Sequence, residues 1–118
     1  MAEAYFQISS AGDVQVISLR LPTAIDSNDF DRLNEDLLGA FDSRSAVSWV
    51  LDVSAVAYMG SSVLGLLVNI RQRAVRAGGQ LILCGLSPGL LRIFRTCCME
   101  RLFHISKTQA DALRAIRG

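Results

Sequence analysis

The feature of this sequence that most restricts its fold is the alternation of short apolar runs with longer stretches of helical periodicity. Gln80 to Cys84 is a nearly continuous apolar run, as expected for a strand that is covered on both faces. Ser48 to Val53 is also strand-like, and it is preceded by apolar residues that recur at spacings of three and four. They are Phe30, Leu33, Leu37, Leu38 and Phe41. Short strands that alternate with helices predict an α/β domain with parallel strand pairs.

Turn and cap signals predict the remaining elements. Tyr5 to Ser9 and Val14 to Leu21 are β-rich runs separated by Ala11-Gly12-Asp13, which predicts a hairpin. Further helices are expected from Ser61 or Ser62 to about Arg76, from Pro88 onwards and after Thr108, and a short edge strand is expected at Phe103 to Ser106. We therefore expect one domain over residues 1–118. It should contain a mixed, mostly parallel sheet of about five strands, with an N-terminal antiparallel hairpin, and about four helices.

Composition and charge exclude several classes of protein. Apolar residues make up 51% of the 118 residues and charged residues 19%, which excludes a disordered chain and a coiled coil. No apolar stretch approaches the roughly 20 residues of a membrane span. The first five residues lack the basic and apolar regions of a secretory signal, so a cytoplasmic protein is expected. Residues 61–118 carry nine basic and two acidic side chains, but these are spread over several elements, which disfavours direct nucleic-acid binding.

Patterns typical of catalysis and metal binding are missing from the sequence. Cys84, Cys97 and Cys98 include no Cys-x-x-Cys pair, so we expect no zinc site, and we predict that they form no internal disulfide. His104 is the single histidine and is expected in a strand rather than as a catalytic base. A nucleophile elbow would need a glycine at the position of Leu64. A phosphate-binding loop would need Lys and Ser/Thr at the positions of Leu66 and Leu67. We therefore expect neither an enzyme nor a bound metal or cofactor.

The strand–loop–helix junction from Val50 to Val68 is the candidate functional site. Ser61 and Ser62 follow the carboxyl end of a predicted strand, where open α/β sheets place functional loops. Serine is also among the best helix N-caps, so a structural role explains the pair equally well. Beside the stripe expected to pack on the sheet, the helix carries a second apolar stripe of Leu64, Val68 and Val75. This second stripe predicts an outward-facing interaction surface, although a wide buried contact would also explain it.

Four segments of the sequence carry a resemblance to a known family. They are Val50-Leu51-Asp52-Val53-Ser54, Tyr58-Met59-Gly60-Ser61-Ser62-Val63-Leu64-Gly65, Gly78-Gly79-Gln80-Leu81-Ile82-Leu83-Cys84 and Ser87-Pro88. In this order and spacing they resemble the STAS domain of bacterial anti-sigma-factor antagonists. The resemblance implies a domain that binds an anti-sigma factor, itself a serine kinase, and thereby frees a sigma factor for transcription. Phosphorylation of a serine at the helix start would release the antagonist, and a phosphatase would reset it.

The resemblance also implies which residues carry these roles. The phosphorylated serine of the family falls on Ser61, and the acidic residue in the loop after the second strand falls on Asp26. The family often has Asp and Gly at the positions of Gly60 and Val63. Together with the apolar stripe, the resemblance predicts a partner-binding surface of Asp26, Met59, Gly60, Ser61, Ser62, Val63, Leu64 and Val68.

Two other functions stay open at this point. One is a small nucleotide-binding α/β protein that uses the segment between Gly60 and Gly65, and the other is a STAS module within a larger signalling assembly. In the favoured case the partner is an anti-sigma factor that is a serine kinase, with no nucleic-acid or membrane contact. The protein itself is then expected to be a monomer or a weak homodimer.

Overall fold

Five strands and four helices build the domain in the computed structural model, which describes residues 5–22, 24–44 and 48–117. The strands are β1 (Phe6–Ala11), β2 (Val14–Leu19), β3 (Ser48–Asp52), β4 (Gln80–Cys84) and β5 (His104–Ser106). The helices are α1 (Ser27–Asp42), α2 (Ser61–Arg76), α3 (Pro88–Thr96) and α4 (Gln109–Arg117), with a 3₁₀ turn at Met99–Arg101. The sheet order is β1-β2-β3-β4-β5, with β1 and β2 antiparallel and every other pair parallel. The predicted mixed α/β fold class is confirmed. The expectation that the chain has no secretory signal rests largely on residues 1–4, which lie outside the described residues.

The two faces of the sheet are covered by different helices. The three crossover helices share a core with one face, to which β3 contributes Trp49 and Leu51. On the other face Val50 and the buried Cys84 pack with Ala112 of α4. Because both faces are covered, β3 and β4 are apolar at nearly every position.

Local capping signals determine where three of the four helices begin. Asp26 caps α1, because its Oδ1 accepts a hydrogen bond from the backbone N–H of Asp29 at 2.8 Å. The Oγ of Ser87 accepts from the N–H of Leu90 at 3.2 Å, and Pro88 is in the first turn of α3, as predicted. The predicted cap at Thr108 is also confirmed, since its Oγ1 accepts from Asp111 at 3.1 Å.

None of the helices in the described residues is both long and apolar enough to cross a membrane.

Candidate functional site

The loops after β2 and β3 lie side by side at one edge of the sheet. Strands β2 and β3 are parallel, and Ser18 pairs with Asp52 near their carboxyl ends, so the two loops leave the sheet at the same end. The loop after β2 leads to α1, and the loop after β3 leads to α2. Together they form a groove of about 350 Å³ that is lined by Ala24, Ile25, Tyr58, Gly60, Ser61, Ser62 and Val63. This is the position at which α/β sheets usually carry functional groups.

The first turn of α2 presents two serines and free backbone donors to this groove. Gly60 is the N-cap residue and supplies no side-chain hydrogen bond to the helix. Ser61 and Ser62 are the first two helical residues, and both are exposed. Within the described part of the chain, the N–H groups of Ser61, Ser62 and Val63 have no hydrogen-bond partner. Such donors, together with the helix dipole, make the start of α2 favourable for a negative charge.

The structural role considered for the serine pair is wrong in one respect: neither serine is the N-cap. The extended backbone of Gly60, with φ −84° and ψ 177°, occupies that position instead. Because glycine brings no capping oxygen, the serine hydroxyls are not engaged in starting the helix. Both serine side chains are exposed.

Burial corrects the predicted partner-binding surface. The side chains of Met59, Val63 and Leu64 are buried in the main core, with exposed fractions of 2%, 3% and 8%. They support the site from below and expose little surface, although Val63 still contributes to the lining of the groove. Asp26, Ser61 and Ser62 are exposed, and Gly60 and Val68 are half-buried.

The second apolar stripe of α2 is largely core, which contradicts its expected outward orientation. Leu64 is buried and Val68 packs against the core, whereas Val75 is 52% exposed. The physical reason is the strand order, which makes α2 the middle of three helices on one face of the sheet. Its flanks are therefore covered as well as its base, and only the end of the stripe reaches solvent.

Tyr58 is a site residue that the sequence reasoning did not select. Its ring is 52% exposed, and it lines the groove beside Gly60 and Ser61. An exposed aromatic ring next to polar groups is typical of the residues that anchor protein interfaces. The sequence of this loop did not indicate that Tyr58 is exposed while Val56 and Met59 are buried. Loops have no periodicity that separates inward-facing from outward-facing residues.

Asp26 is close to the groove in sequence but has a structural task of its own. Its neighbours Ala24 and Ile25 line the groove, so the loop that contains Asp26 borders the site. Its carboxylate caps α1 through Asp29. Asp26 therefore places negative charge near the site while holding the start of α1.

The histidine and the buried cysteine of the sequence are not among the residues that line the groove. His104 is the first residue of β5 and pairs with Ile82 in the middle of β4, whereas Ser61 follows the carboxyl end of β3. Burial, and to a lesser degree the Asp52 carboxylate, raise the pKa of the Cys84 thiol to about 12, which keeps this thiol protonated. Across the described residues, no group of three or more His, Cys, Asp or Glu side chains is placed to hold a metal ion.

The segment between Gly60 and Gly65 is not a phosphate-binding loop. Gly60 caps α2, and the residues from Ser61 to Gly65 form its first turns. A loop that wraps phosphates needs successive backbone N–H groups that curve around the anion, and this segment is helical instead. The structure therefore gives no support to the nucleotide-binding alternative.

Comparison with known proteins agrees with this geometry. The family model for the STAS domain matches residues 5–112. An anti-sigma-factor antagonist (STAS) domain protein from Planctomyces limnophilus superposes with a TM-score of 0.82, at 21% identity over 96% of this chain and 98% of that chain. An anti-sigma factor antagonist from Mycobacterium paratuberculosis gives 0.80, at 23% identity over 96% and 93%. The phosphorylated form of the Bacillus cell fate determinant SpoIIAA gives 0.68, at 18% identity over 95% and 99%.

The solved structures show that the fold is shared. The match to the family model extends over most of the sequence. It includes the β3–α2 junction with Ser61 as well as both loops of the groove. The chain therefore belongs to the STAS domain family.

Proposed function

We propose that this protein is an anti-sigma-factor antagonist that is regulated by phosphorylation of Ser61. Its groove and the first turn of α2 would bind an anti-sigma factor that is also a serine kinase. The observation that carries the proposal is the placement of Ser61: exposed, in the first turn of a helix that has no side-chain cap, and lining a groove between two loops. The family membership supports it, because the similar structures include anti-sigma factor antagonists, and one of these, SpoIIAA, is also known in a phosphorylated form.

Ser61 is suited to a switch that acts on binding and leaves the fold intact. Phosphorylation adds about −1.5 to −2 charges at the hydroxyl. The free N–H groups of Ser61, Ser62 and Val63 and the positive end of the α2 dipole stabilise that charge within the domain itself. Ser61 is exposed, so its phosphate displaces no core residue.

The same charge opposes binding of a partner. An interface over the groove would enclose Ile25 and Tyr58 together with the Ser61 hydroxyl. Removing a phosphate from water in that contact costs several kcal/mol unless the partner offers a matching cation. The Asp26 carboxylate in the adjoining loop adds to the negative potential. Phosphorylation is therefore expected to release the anti-sigma factor.

The role that follows is regulatory rather than enzymatic. The kinase activity belongs to the partner, and a separate phosphatase would restore the Ser61 hydroxyl.

The test compares Ser61 with its neighbour Ser62, which is also exposed and serves as the matched control. Wild type, Ser61→Ala and Ser62→Ala are incubated with ATP and each anti-sigma-factor kinase of the source organism, and phosphosites are mapped by mass spectrometry. We expect phosphate on Ser61 in wild type and Ser62→Ala and none in Ser61→Ala. Calorimetric titration should show binding by Ser61→Ala and at least tenfold weaker binding by Ser61→Asp, because a charge is placed in the contact.

Phosphate on Ser62, Thr96 or Thr108 with none on Ser61 would contradict the assignment of the modified residue. Equal affinity of Ser61→Asp and wild type for the anti-sigma factor would contradict the electrostatic switch. Circular dichroism of each variant checks that the fold is unchanged.

A further inference from the structure

Asp52 connects the loop that leads to Ser61 with the opposite side of the sheet. It is the last residue of β3, and its two carboxylate oxygens have different partners. Oδ1 accepts a hydrogen bond from the backbone N–H of Ser54 at 2.9 Å. Oδ2 accepts one from Nε2 of Gln109, the first residue of α4, at 3.0 Å. One side chain therefore holds both the start of the Ser61 loop and the start of α4.

A second connection joins the same two regions through Gly85. The backbone N–H of Gly85 donates to the carbonyl of Lys107, just before α4, at 3.2 Å. On its other side Gly85 packs so closely that a Cβ there would lie 2.9 Å from Cβ of Ser54 and 3.1 Å from Oδ1 of Asp52. The loop after β3, the junction after β4 and the segment before α4 thus converge on Asp52.

The loop between Asp52 and α2 has few other hydrogen bonds among the described residues. Val53 donates to the carbonyl of Cys84, and Val56 closes a turn onto Val53 at 2.9 Å. The side chains of Val56 and Met59 are buried, whereas Ser54 and Tyr58 are exposed. The loop ends at Gly60, the N-cap of α2, so the segment that starts at Ser54 runs directly to Tyr58 and Ser61.

We propose that Asp52 is a positioning residue that couples the N-terminal end of α4 to the loop that presents Ser61. A change at the start of α4, on the face of the sheet opposite α1, α2 and α3, then alters the order of the Ser61 loop. The coupling between α4 and the Ser61 loop does not depend on any partner. That it affects binding of an anti-sigma factor rests on the proposed function. The Asp52 carboxylate lies at the positive end of the α4 dipole and so stabilises that helix, which favours keeping the Asp52–Gln109 hydrogen bond.

The experiment exchanges the donor and the acceptor of the Asp52–Gln109 hydrogen bond. In Gln109→Glu two carboxylates face each other and the bond is lost. In Asp52→Asn/Gln109→Glu the asparagine Nδ2 donates to the glutamate while its Oδ1 still accepts from Ser54. Asp52→Asn alone is uninformative, because Gln109 can rotate its amide and accept. Gln15→Glu is the matched control, since Gln15 makes a comparable exposed bond to Ser10 at 2.8 Å.

Hydrogen exchange of the full chain is followed by mass spectrometry for peptides of the 53–62 loop and of α1. In Gln109→Glu we expect exchange of the loop to be faster by on the order of tenfold, with α1 unchanged, because a charge-assisted bond is replaced by repulsion. The double variant should return to the wild-type rate, and Gln15→Glu should not differ from wild type. Gln109 is exposed, so its variants are expected to fold.

Unchanged loop exchange in Gln109→Glu would overturn the proposal, and so would faster exchange spread evenly over the chain, which indicates general destabilisation. Failure of the double variant to restore protection would also overturn it. These results do not depend on the kinase: absence of Ser61 phosphorylation refutes the proposed function and leaves the exchange result standing. With an active kinase, the initial rate of Ser61 phosphorylation should change in Gln109→Glu and recover in the double variant.

Discussion

Replacement of Gly85 with alanine tests the close packing between the β4–α3 junction and the Ser61 loop. Gly85 has φ +78°, a conformation that costs an L-residue about 1–2 kcal/mol. The added Cβ would also lie 2.9 Å from Cβ and 3.0 Å from the backbone N of Ser54, whose N–H is held by Asp52. Moving this segment by a few tenths of an ångström adds about 1–2 kcal/mol. We therefore expect Gly85→Ala to lower the free energy of unfolding by about 2–4 kcal/mol.

Gly78→Ala is the control that separates backbone strain from the close approach. Gly78 has nearly the same φ, +81°, but no atom lies within 4 Å of an added Cβ. Gly78→Ala should therefore cost only the conformational part, about 1–2 kcal/mol. Gly65→Ala, at an exposed and open position in the second turn of α2, should instead stabilise by about 0.5–1 kcal/mol.

Urea unfolding followed by circular dichroism measures all three variants. For 118 residues, each kcal/mol corresponds to about 4 °C in Tm, so thermal unfolding of Gly85→Ala should occur about 8–16 °C lower. If Gly85→Ala and Gly78→Ala lose the same free energy, the Ser54 contact has no energetic weight and the reasoning is refuted. A change in the urea m-value would show that the variant no longer unfolds in a comparable transition.

Four further predictions follow from burial, capping, ionisation and the placement of the cysteines. Leu64→Asp should lower the free energy of unfolding by several kcal/mol, because Leu64 is in the core; an unchanged thermal midpoint would show that this side chain faces solvent. Asp26→Ala should cost about 1 kcal/mol, whereas Asp26→Asn keeps a capping oxygen and should stay within about 0.5 kcal/mol; equal losses in urea unfolding would contradict the capping role. Because the pKa of Cys84 is raised to about 12, the stability that its protonated thiol contributes is present below about pH 9 and is lost as the pH rises toward 12. The free energy of unfolding in urea should therefore fall above about pH 9 in wild type and fall less in Cys84→Ala. Parallel pH profiles of the two proteins would contradict this contribution of the Cys84 thiol. Cys97 and Cys98 should remain free thiols, and alkylation of non-reduced protein would reveal an internal disulfide by mass.

Most of the fold could be predicted from the sequence because its signals are local. The hairpin around Gly12, the caps at Ser87 and Thr108 and the helical spacing of α1 depend on neighbours a few residues away. The apolar runs of β3 and β4 also report burial on both faces. The position of Ser61 after a strand and at the start of a helix followed from the same local order.

Contacts between distant segments decided the rest. A second apolar stripe on α2 has the same sequence pattern whether it faces a partner or two flanking helices, and only the strand order showed that Leu64 is buried. The exposure of Tyr58 and the burial of Met59 depend on how one loop folds, and loops carry no periodicity. The bond from Asp52 to Gln109 spans 57 positions and exists because parallel pairing brings the end of β3 beside the start of α4. Local propensity thus determined the elements and their order, whereas the shape and coupling of the site arise from long-range packing that no short segment of the sequence encodes.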